Sequence, residues 1–453
     1  MPSTPNVLVV TADSLGNKMA GPAIRAFEIA KALSKETTVR LISTGFSSLK
    51  HADFQIGQAS PSELRAHERW ADVIVFQGHL LASFPWLKDS KKVIVADIYD
   101  PMHLEQLEQG KELESHDRLY ASASVLGVLN EQIERADFMV CASDKQRDFW
   151  LGQLAAVGRI NPATYDDDAS LRSLLDVVPF GLDDVAPVQR AHGIKGVVDG
   201  IGVDDRVIIW GGGIYNWFDP LTLIRAVHQL SIRRPDARLF FLGVKHPNPG
   251  VPTMRMAYEA RELARELGLL DRVVFFNDGW VPYEERANYL LDADVGVSTH
   301  LDHLETAFSF RTRILDYLWA SLPIVSTAGD TFADIIEHHD LGVVVPPEDV
   351  DALEQALEAL LYDEDLRSSV ARRVGQFAHS MRWSVTLRPL IDFCVNPHRA
   401  ADFVAGIEPA SSYELRRLTT RVKGLESSTS WRVTAPLRAV GVLARRVSRR
   451  ITH

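Results

Sequence analysis

Residues 292–325, DADVGVSTHLDHLETAFSFRTRILDYLWASLPIV, contain the pattern that decides the fold. The apolar run at 295–298 predicts a buried strand, and Pro323 opens a second one. Between them we expect a polar loop and a helix that begins near Ser309, a favourable N-cap residue. The apolar positions that recur at helical spacing in this helix are Ile314, Leu315, Leu318 and Trp319. The stretch therefore predicts one βαβ unit of a parallel sheet.

The junction between the loop and this helix suits a diphosphate. A helix N-terminus offers free backbone N–H groups and the positive end of the helix dipole, and Arg311 and Arg313 add two cations. Asp316 lies one turn further on, where its carboxylate suits the hydroxyls of a ribose. A surface ion pair between Arg313 and Asp316 on an ordinary crossover helix is the alternative, and both interpretations stay open. The residues predicted to contact the nucleotide here are Ser309, Phe310, Thr312 and Asp316.

The segment FSFRTRILDYLWASLPIV resembles the nucleotide-sugar signature of the family 4 glycosyltransferases with the GT-B fold. In that signature two glutamates, eight positions apart, flank a phosphate-binding turn and precede Pro-Ile-Val. Aligned on this ending, the second glutamate falls on Asp316 and the first on Phe308, so one carboxylate is missing from its usual place. Glu305, three residues upstream, is the candidate replacement, and Arg311 stands where the family commonly has glycine.

The resemblance covers about residues 6 to 395. It implies an α/β architecture of two Rossmann-like, doubly wound domains that face a cleft. It also implies a transfer that retains the anomeric configuration without a metal in the active site. We expect the first domain at 1–185, the second at 198–385, a crossover helix at 386–410 that returns to the first domain, and a tail at 411–453.

The composition agrees with an ordinary globular chain. With 453 residues, of which 46% are hydrophobic and 24% charged, the sequence has enough material for two domains or more. A net charge of -11 argues against general nucleic-acid binding, and two cysteines are too few for a disulfide framework or a zinc site. We see neither a signal peptide nor an apolar run of membrane-spanning length, and therefore expect a cytoplasmic protein.

The first domain opens with a strand, a glycine-containing loop and a helix. The strand is NVLVVT, and Gly21 with Pro22 begins the helix, where a ligand can approach the backbone closely. A glycine turn after a first strand is weak evidence by itself, because most doubly wound domains have one. In the resembled family this loop lies at the interdomain cleft, which makes Gly21 and Arg25 candidate site residues.

The strand VIVAD and the residues after it provide the candidate catalytic carboxylates. Parallel sheets bind their ligands beyond the carboxyl ends of the strands, and here this end carries Asp97, Asp100 and His103. The family often places a polar residue at this strand end, beside the sugar that is transferred. We therefore predict Asp97 or Asp100 at the reacting sugar. The alternative, that these residues only cap the following helix, stays open.

The second domain repeats the order of strand, glycine turn and helix. Three glycines follow RVIIW, and Gly212 and Gly213 are predicted to approach the donor phosphates. The family usually has a basic residue a few positions later, whereas this chain has Asn216, Trp217 and Phe218. Arg311 or Lys245 is expected to supply the missing charge. Trp217 either lines the donor pocket or is a buried hinge residue.

Two further features of the second domain concern the base and a metal. The resemblance implies that main-chain groups of Trp280 and Val281 contact the nucleotide base. Asp292 and Asp294 mimic a DxD metal motif, but we interpret them as boundary residues between a helix end and a strand start. The acidic run at 166–168 is typical of solvated surface. We therefore predict neither a metal nor another cofactor.

The tail reverses the charge of the chain. From Leu415 to His453 there are ten Lys or Arg residues and one acidic residue, Glu426. Beyond Pro436 the pattern predicts a helix with an apolar stripe opposite a basic side, which suits an interfacial helix on anionic lipid. A helix docked on an acidic face of the protein and a disordered basic arm are the alternatives. The stripe is formed by Leu437, Val440, Ala444, Val447 and Ile451.

These patterns together predict a glycosyltransferase that moves a sugar from a nucleotide-sugar donor to a cell-surface glycan or a lipid-linked saccharide. The tail would bring it to the inner face of the cytoplasmic membrane. Catalysis would depend on electrostatic stabilisation of the leaving diphosphate, without a side-chain nucleophile. The predicted catalytic residues are Asp97, Asp100, Glu305 and Arg311. A GT-B-like protein that has lost activity and serves as a scaffold is the rival hypothesis, and a nucleotide-sugar epimerase is a third.

Overall fold

The computed structural model describes residues 4–244, 254–407 and 410–434. Within them the chain forms two parallel sheets, each covered by helices. The first sheet has seven strands in the order β3-β2-β1-β4-β5-β6-β7. Its strands are β1 (Asn6–Thr11), β2 (Thr38–Ser43), β3 (Gln55–Gln58), β4 (Val73–Gln77), β5 (Val93–Asp97), β6 (Phe138–Cys141) and β7 (Leu175–Val177).

The central strands of this sheet are buried on both faces, as expected for a parallel sheet between two helical layers. In β1, for example, residues 7 to 10 are all at most 2% exposed. The helices of this part are α1 (Gly21–Leu33), α2 (Pro61–Trp70), α3 (Leu80–Ser83), α4 (Met102–Gln109), α5 (Ser115–Arg135), α6 (Asp144–Ala156) and α7 (Pro162–Asp167).

The second sheet has six parallel strands in the order β10-β9-β8-β11-β12-β13. They are β8 (Arg206–Trp210), β9 (Ala237–Phe241), β10 (Val274–Phe276), β11 (Val295–Ser298), β12 (Ile324–Thr327) and β13 (Gly342–Val345). The helices around it are α8 (Pro220–Arg233), α9 (Arg255–Glu266), α10 (Arg286–Leu290), α11 (Leu304–Phe308), α12 (Arg313–Trp319), α13 (Thr331–His338), α14 (Val350–Tyr362) and α15 (Glu364–Ala378).

The βαβ unit of the opening stretch is present, but its helix starts later than the sequence predicts. The expectation that Ser309 caps this helix is wrong, since α12 begins at Arg313 with Thr312 before it. The loop before it contains the short helix α11, and Ser309 follows the end of α11, where its hydroxyl donates to Thr306 O at 3.0 Å. His303 caps the start of α11 by accepting from Thr306 N.

The chain crosses between the two sheets at two adjacent segments. Leu182 N donates to Met381 O at 2.8 Å, and Trp383 N donates to Leu182 O at 3.0 Å. Gly181 permits this approach, since a Cβ there would lie 2.7 Å from Trp383 Cδ2. The returning chain forms α16 (Trp383–Thr386), α17 (Arg388–Val395) and α18 (Ala401–Val404).

The returning helices pack on the first sheet. In α17 the ring of Phe393 stacks on Phe138 of β6 with centroids 4.4 Å apart. In α18 Asp402 forms a buried ion pair with Arg159, 2.6 Å from Nε. The C-terminal helices thus fasten the second half of the chain to the first.

The described part of the tail forms α19 (Ala410–Ser427) and α20 (Thr429–Val433). The helix predicted over 437–451 lies outside the described residues. Within the described ranges, none of the helices combines the length and the apolar character that a membrane crossing requires.

Candidate active site

A cavity of 440 Å³ lies between the two domains. The first domain lines it with the start of α1 and the residues after β5; the second lines it with the glycine turn after β8, the loop after β10, and the α11–α12 region. Thirteen of the residues predicted to contact the ligands meet here. They are Gly21, Asp100, Gly212, Gly213, Trp280, Val281, Glu305, Ser309, Phe310, Arg311, Thr312, Arg313 and Asp316. Lys245 lies outside the described residues.

The glycine turn is held by a buried tyrosine. Gly211 N donates to Tyr317 Oη at 2.8 Å, and the same hydroxyl lies within donating distance of Val297 O, at 2.8 Å. Gly212 has φ +73°, a left-handed conformation that favours glycine. Burial raises the pKa of Tyr317 to about 12, so its phenol stays protonated at neutral pH and keeps donating. The turn is therefore a rigid part of the cavity wall.

Arg313 is the cation at this turn. Its side chain is packed between aromatic rings, with the guanidinium 4.2 Å from the centroids of both Trp210 and Phe218. Nη2 donates to Gly213 O at 2.9 Å, while Nη1 is buried and has no hydrogen-bond partner among the described residues. Burial lowers the pKa of Arg313 to about 10, which leaves it charged at neutral pH. Arg313 lines the cavity, and a charged guanidinium there suits an anionic oxygen.

The surface pair that the sequence allows between Arg313 and Asp316 is not formed. Asp316 bonds instead to Arg286, with Oδ1 3.2 Å from Nε. Arg286 itself is held over the ring of Tyr283 at 3.7 Å. Burial raises the pKa of Asp316, and the charge of Arg286 opposes this shift. The two residues therefore face different parts of the cavity wall.

Arg311 is held by its own loop. Its Nη1 and Nη2 donate to the two carboxylate oxygens of Glu305 at 3.0 and 2.8 Å, and Nη2 also contacts Thr306 Oγ1 at 3.2 Å. Both partners are buried, at 6% and 7% exposure. The geometry thus corrects the expectation that Arg311 is the free cation for a diphosphate, because its charge is already compensated by the other predicted catalytic residue.

Phe308, at the place of the missing glutamate, joins the two domains. Its ring packs on Phe149 of α6 with centroids 4.6 Å apart, and its carbonyl accepts from Gln146 Nε2 at 2.8 Å. An apolar interdomain contact therefore occupies the position where the family has a carboxylate.

Three carboxyls line the same cavity. Asp100 and Glu105 come from the first domain, and Glu305 comes from α11, which contacts α4. Burial and the charge of Glu305 raise the pKa of Asp100 to about 7, although Arg311 opposes the shift. Burial, followed by the charges of Asp100 and Glu305, raises the pKa of Glu105 well above its ordinary value. Carboxyls that retain protons can both donate hydrogen bonds to sugar hydroxyls and accept them.

Glu105 is a site residue that the sequence analysis missed. On the α4 segment MHLEQLEQ it has the pattern of any helix glutamate. Only the approach of α11 from the second domain brings it to the cavity. No local signal in the sequence identifies it, because the contact is between distant parts of the chain.

Asp97 and Arg25 lie outside the cavity lining, where they form a buried ion pair. Arg25 Nε is 2.6 Å and Nη2 is 3.0 Å from the Asp97 carboxylate, and Nη2 also donates to Val178 O at 2.8 Å. This pair fixes α1 against the end of β5, so the geometry gives Asp97 a structural position rather than a place at the sugar. His103 stacks on Phe149 with centroids 5.4 Å apart and does not line the cavity either.

Trp217 lines the cavity, which was one of the two alternatives from the sequence, and it does not lie at the interdomain crossing near Leu182 and Trp383. It is 3% exposed, it lines the cavity, and it stacks on Tyr215 with centroids 5.0 Å apart. Where the family has a basic residue, this chain thus presents an aromatic pair. Asn216 is used structurally, because its Oδ1 accepts from Met256 N.

The acidic motifs outside the cavity have structural partners. Asp292 accepts from the backbone N–H groups of Gly193 and Ile194 at 2.8 Å each, and Asp294 pairs with Lys195 at 2.8 Å. Within the described residues no group of three His, Cys, Asp or Glu side chains is placed to hold a metal ion. Whether a metal takes part in the reaction stays a prediction.

Comparisons with known proteins agree with this geometry. Residues 205–363 match the family described as "Glycosyl transferases group 1". Over 212 residues the chain is 26% identical to the phosphatidyl-myo-inositol mannosyltransferase of Mycolicibacterium smegmatis, covering 46% of this chain and 48% of that protein. Over 194 residues it is 27% identical to the D-inositol 3-phosphate glycosyltransferase of Corynebacterium aurimucosum, covering 42% and 43%. The chain thus spans about half the length of the curated relatives it matches.

A solved structure matches over both domains. HepE from Anabaena, crystallised in complex with UDP-glucose, superposes with a TM-score of 0.61 at 14% identity, covering 87% of this chain and all of the other. Two parallel-sheet, Rossmann-like domains around a cleft define the GT-B class, and the predicted fold is confirmed. With the group 1 match in its second domain, the chain is a GT-B protein similar to the family 4 glycosyltransferases, as the sequence predicts.

Proposed function

We propose that this protein transfers a sugar from a nucleotide-sugar donor to a saccharide or lipid-linked acceptor. The observation that carries the proposal is the cavity between the domains, which the glycine turn and Arg313 line together with the carboxyls of Asp100, Glu105 and Glu305. The guanidinium of Arg313 suits a diphosphate, and the carboxyls suit the hydroxyls of a sugar. The UDP-glucose complex of HepE, which has the same fold, supports this class of donor.

In this proposal Arg313 and the glycine turn stabilise the negative charge that develops on the departing nucleoside diphosphate. Such stabilisation is strong where water is excluded, because the donors are already oriented. Arg313 is held by Gly213 O and two aromatic rings before any ligand binds. Asp316 is assigned to the ribose and the main chain of Trp280 and Val281 to the base, as the family resemblance implies. Retention of configuration is part of the same proposal.

The sugar is assigned to the wall formed by Asp100, Glu105 and Glu305 and to the neighbouring aromatic pair, Tyr215 and Trp217. Tyr215, Trp217 and Glu105 line the same cavity, and burial, followed by the charge of Glu105, raises the pKa of Tyr215 to about 12. Aromatic faces and carboxyls are complementary to the apolar and hydroxyl-bearing faces of a sugar ring.

A lipid-linked acceptor is supported by the names of the relatives, one of which is a phosphatidyl-myo-inositol mannosyltransferase. The basic tail supports the same proposal, because it would bring the cavity to a membrane in which such an acceptor resides. We include the formation of a cell-envelope glycan and peripheral attachment to the cytoplasmic membrane in this proposal.

The rival function is a GT-B scaffold without transfer activity. The observations that favour it are the apolar contact of Phe308 and the mutual pairing of Glu305 and Arg311. Calorimetric titration with UDP, GDP and ADP, followed by a donor panel read by released nucleotide, separates the two functions. Binding with acceptor-dependent release supports the transferase. Binding without release under every donor, or no nucleotide binding at all, supports the scaffold.

A further inference from the structure

Helix α19 carries an exposed apolar stripe. The side chains of Leu418, Val422 and Leu425 are 54%, 50% and 56% exposed, and they follow one another at steps of four and three residues. In the sequence Leu415 precedes Leu418 by another step of three. Steps of three and four over two heptads are the a and d positions of a coiled coil.

The width of the stripe distinguishes a helix seam from a lipid-binding face. All residues from 417 to 427 are exposed, and those between the stripe positions are polar, charged or glycine. A strict a/d stripe is narrower than the apolar face of an interfacial helix, which also has basic residues on both flanks. Here one flank has Arg421 and the other Glu426.

The charges of Arg421 and Glu426 complement each other when two copies of α19 pack in parallel. With Leu418 and Leu425 at d positions, Arg421 is at g and Glu426 at e. In a parallel two-stranded coil each g residue faces the e residue five positions later on the partner, which pairs Arg421 with Glu426 of the second copy, and the reverse. In an antiparallel coil g faces g and e faces e, so like charges would meet.

We propose that α19 pairs in parallel with α19 of a second copy of this chain, through the stripe of Leu418, Val422 and Leu425. The seam covers only two heptads, and helices of this length are marginal alone, so we expect a dimer that dissociates on dilution. The pairing would hold the two basic tails side by side. It is independent of the reaction in the interdomain cavity.

Sedimentation equilibrium of the full-length protein over a range of concentrations tests the pairing. We expect a monomer–dimer equilibrium for the natural sequence and a monomer for Leu418→Glu/Leu425→Glu. The matched control is Thr420→Glu/Ser427→Glu, which adds the same charge to the same helix at f positions, opposite the seam. This control should dimerise like the natural protein, and circular dichroism should show that both variants are folded.

Charge exchange tests the register and the direction of the helices. Arg421→Glu and Glu426→Arg should each weaken dimerisation by about tenfold, since two symmetric pairs become repulsive. The double variant Arg421→Glu/Glu426→Arg restores opposite charges and should recover the natural dimer.

The proposal is overturned if the natural protein stays monomeric at all concentrations, if the f-position control loses dimerisation equally, or if the double variant does not recover dimerisation. A monomer that binds anionic vesicles through Leu418 and Leu425 would also overturn it in favour of lipid.

Discussion

Arg313 and Arg311 are two residues apart in the sequence, both line the cavity, and they have different hydrogen-bond partners. Arg313 donates to the carbonyl of Gly213 in the glycine turn, whereas Arg311 donates from both terminal nitrogens to the carboxylate of Glu305. The sequence places both cations at the right loop, because the spacing of Ile314, Leu315 and Leu318 fixes the helix. It does not distinguish their roles, since these depend on which carboxylate and which ring the fold brings within reach.

Replacing Arg313 by alanine should therefore remove the stabilisation of the leaving diphosphate. We expect Arg313→Ala to lower kcat by about 10² to 10³, in line with about 2.7 to 4 kcal/mol for one preorganised donor. Released nucleotide in a donor assay measures kcat, and calorimetry measures the affinity for the nucleoside diphosphate. Natural kcat and natural affinity in this variant would exclude Arg313 from the phosphate site.

Replacing Arg311 by alanine should instead destabilise the fold, because Glu305 would remain buried without its partner. Loss of one partner of a buried pair typically costs about 3 to 5 kcal/mol. Urea unfolding of Arg311→Ala, Glu305→Gln and Arg311→Met/Glu305→Gln measures this effect. We expect the double variant to be more stable than Arg311→Ala alone. Equal stability of these two variants would show that the pair does not exist in solution.

Asp100 should make the stability of the protein depend on pH. Its pKa is raised from 3.8 to about 7, first by burial and then by the charge of Glu305. Between these two pH values the folded state binds more protons than the unfolded state, so this group lowers the free energy of unfolding as the pH rises. Urea unfolding from pH 4 to pH 8 should show a smaller decline for Asp100→Asn. The same decline in both proteins would refute the assignment.

At the scale of elements, the sequence predicts the strands more accurately than the helices that line the cavity. β-Branched runs such as NVLVVT and RVIIW predict β1 and β8, because a parallel strand is buried on both faces. The sequence does not predict the start of α12, because His303 and Ser309 flank a separate short helix, α11, before it. In the sequence, a polar residue that caps α11 looks the same as one that caps α12. Only the three-dimensional contacts show which of the two helices the residue caps.

The interdomain crossing gives a prediction for one glycine. At Gly181 a Cβ would lie 2.7 Å from the ring of Trp383, so we expect Gly181→Ala to lower the free energy of unfolding by about 1 to 3 kcal/mol. Gly127 in α5 is the matched control, because a Cβ there would meet no atom within 4 Å. Alanine at position 127 should be neutral or stabilising, as expected inside a helix. Urea unfolding compares the two variants, and equal effects would contradict the close approach.

At the scale of the whole molecule, the cavity lies where the two sheets and their helices come into contact. These contacts include the crossing at Leu182 and Trp383 and the packing of Phe308 on Phe149. The order of strands and helices in the sequence predicts both sheets. Glu105 could not be predicted, because it becomes part of the cavity only when α11 of the second domain meets α4 of the first.

The basic end of the tail, residues 435–453, should act independently of the cavity and of the α19 seam. Between residues 435 and 453 the sequence has five arginines and no acidic residue, and each basic residue near an anionic membrane contributes about 1 kcal/mol to attachment. We expect deletion of residues 427–453 to release the protein from anionic vesicles at low salt, measured by co-sedimentation.

In the same deletion variant, transfer to a soluble acceptor analogue should be unchanged, since the cavity is retained. Dimerisation should also persist, because Leu418, Val422 and Leu425 remain. Equal co-sedimentation of the full-length and truncated proteins would show that the tail does not attach the protein to lipid.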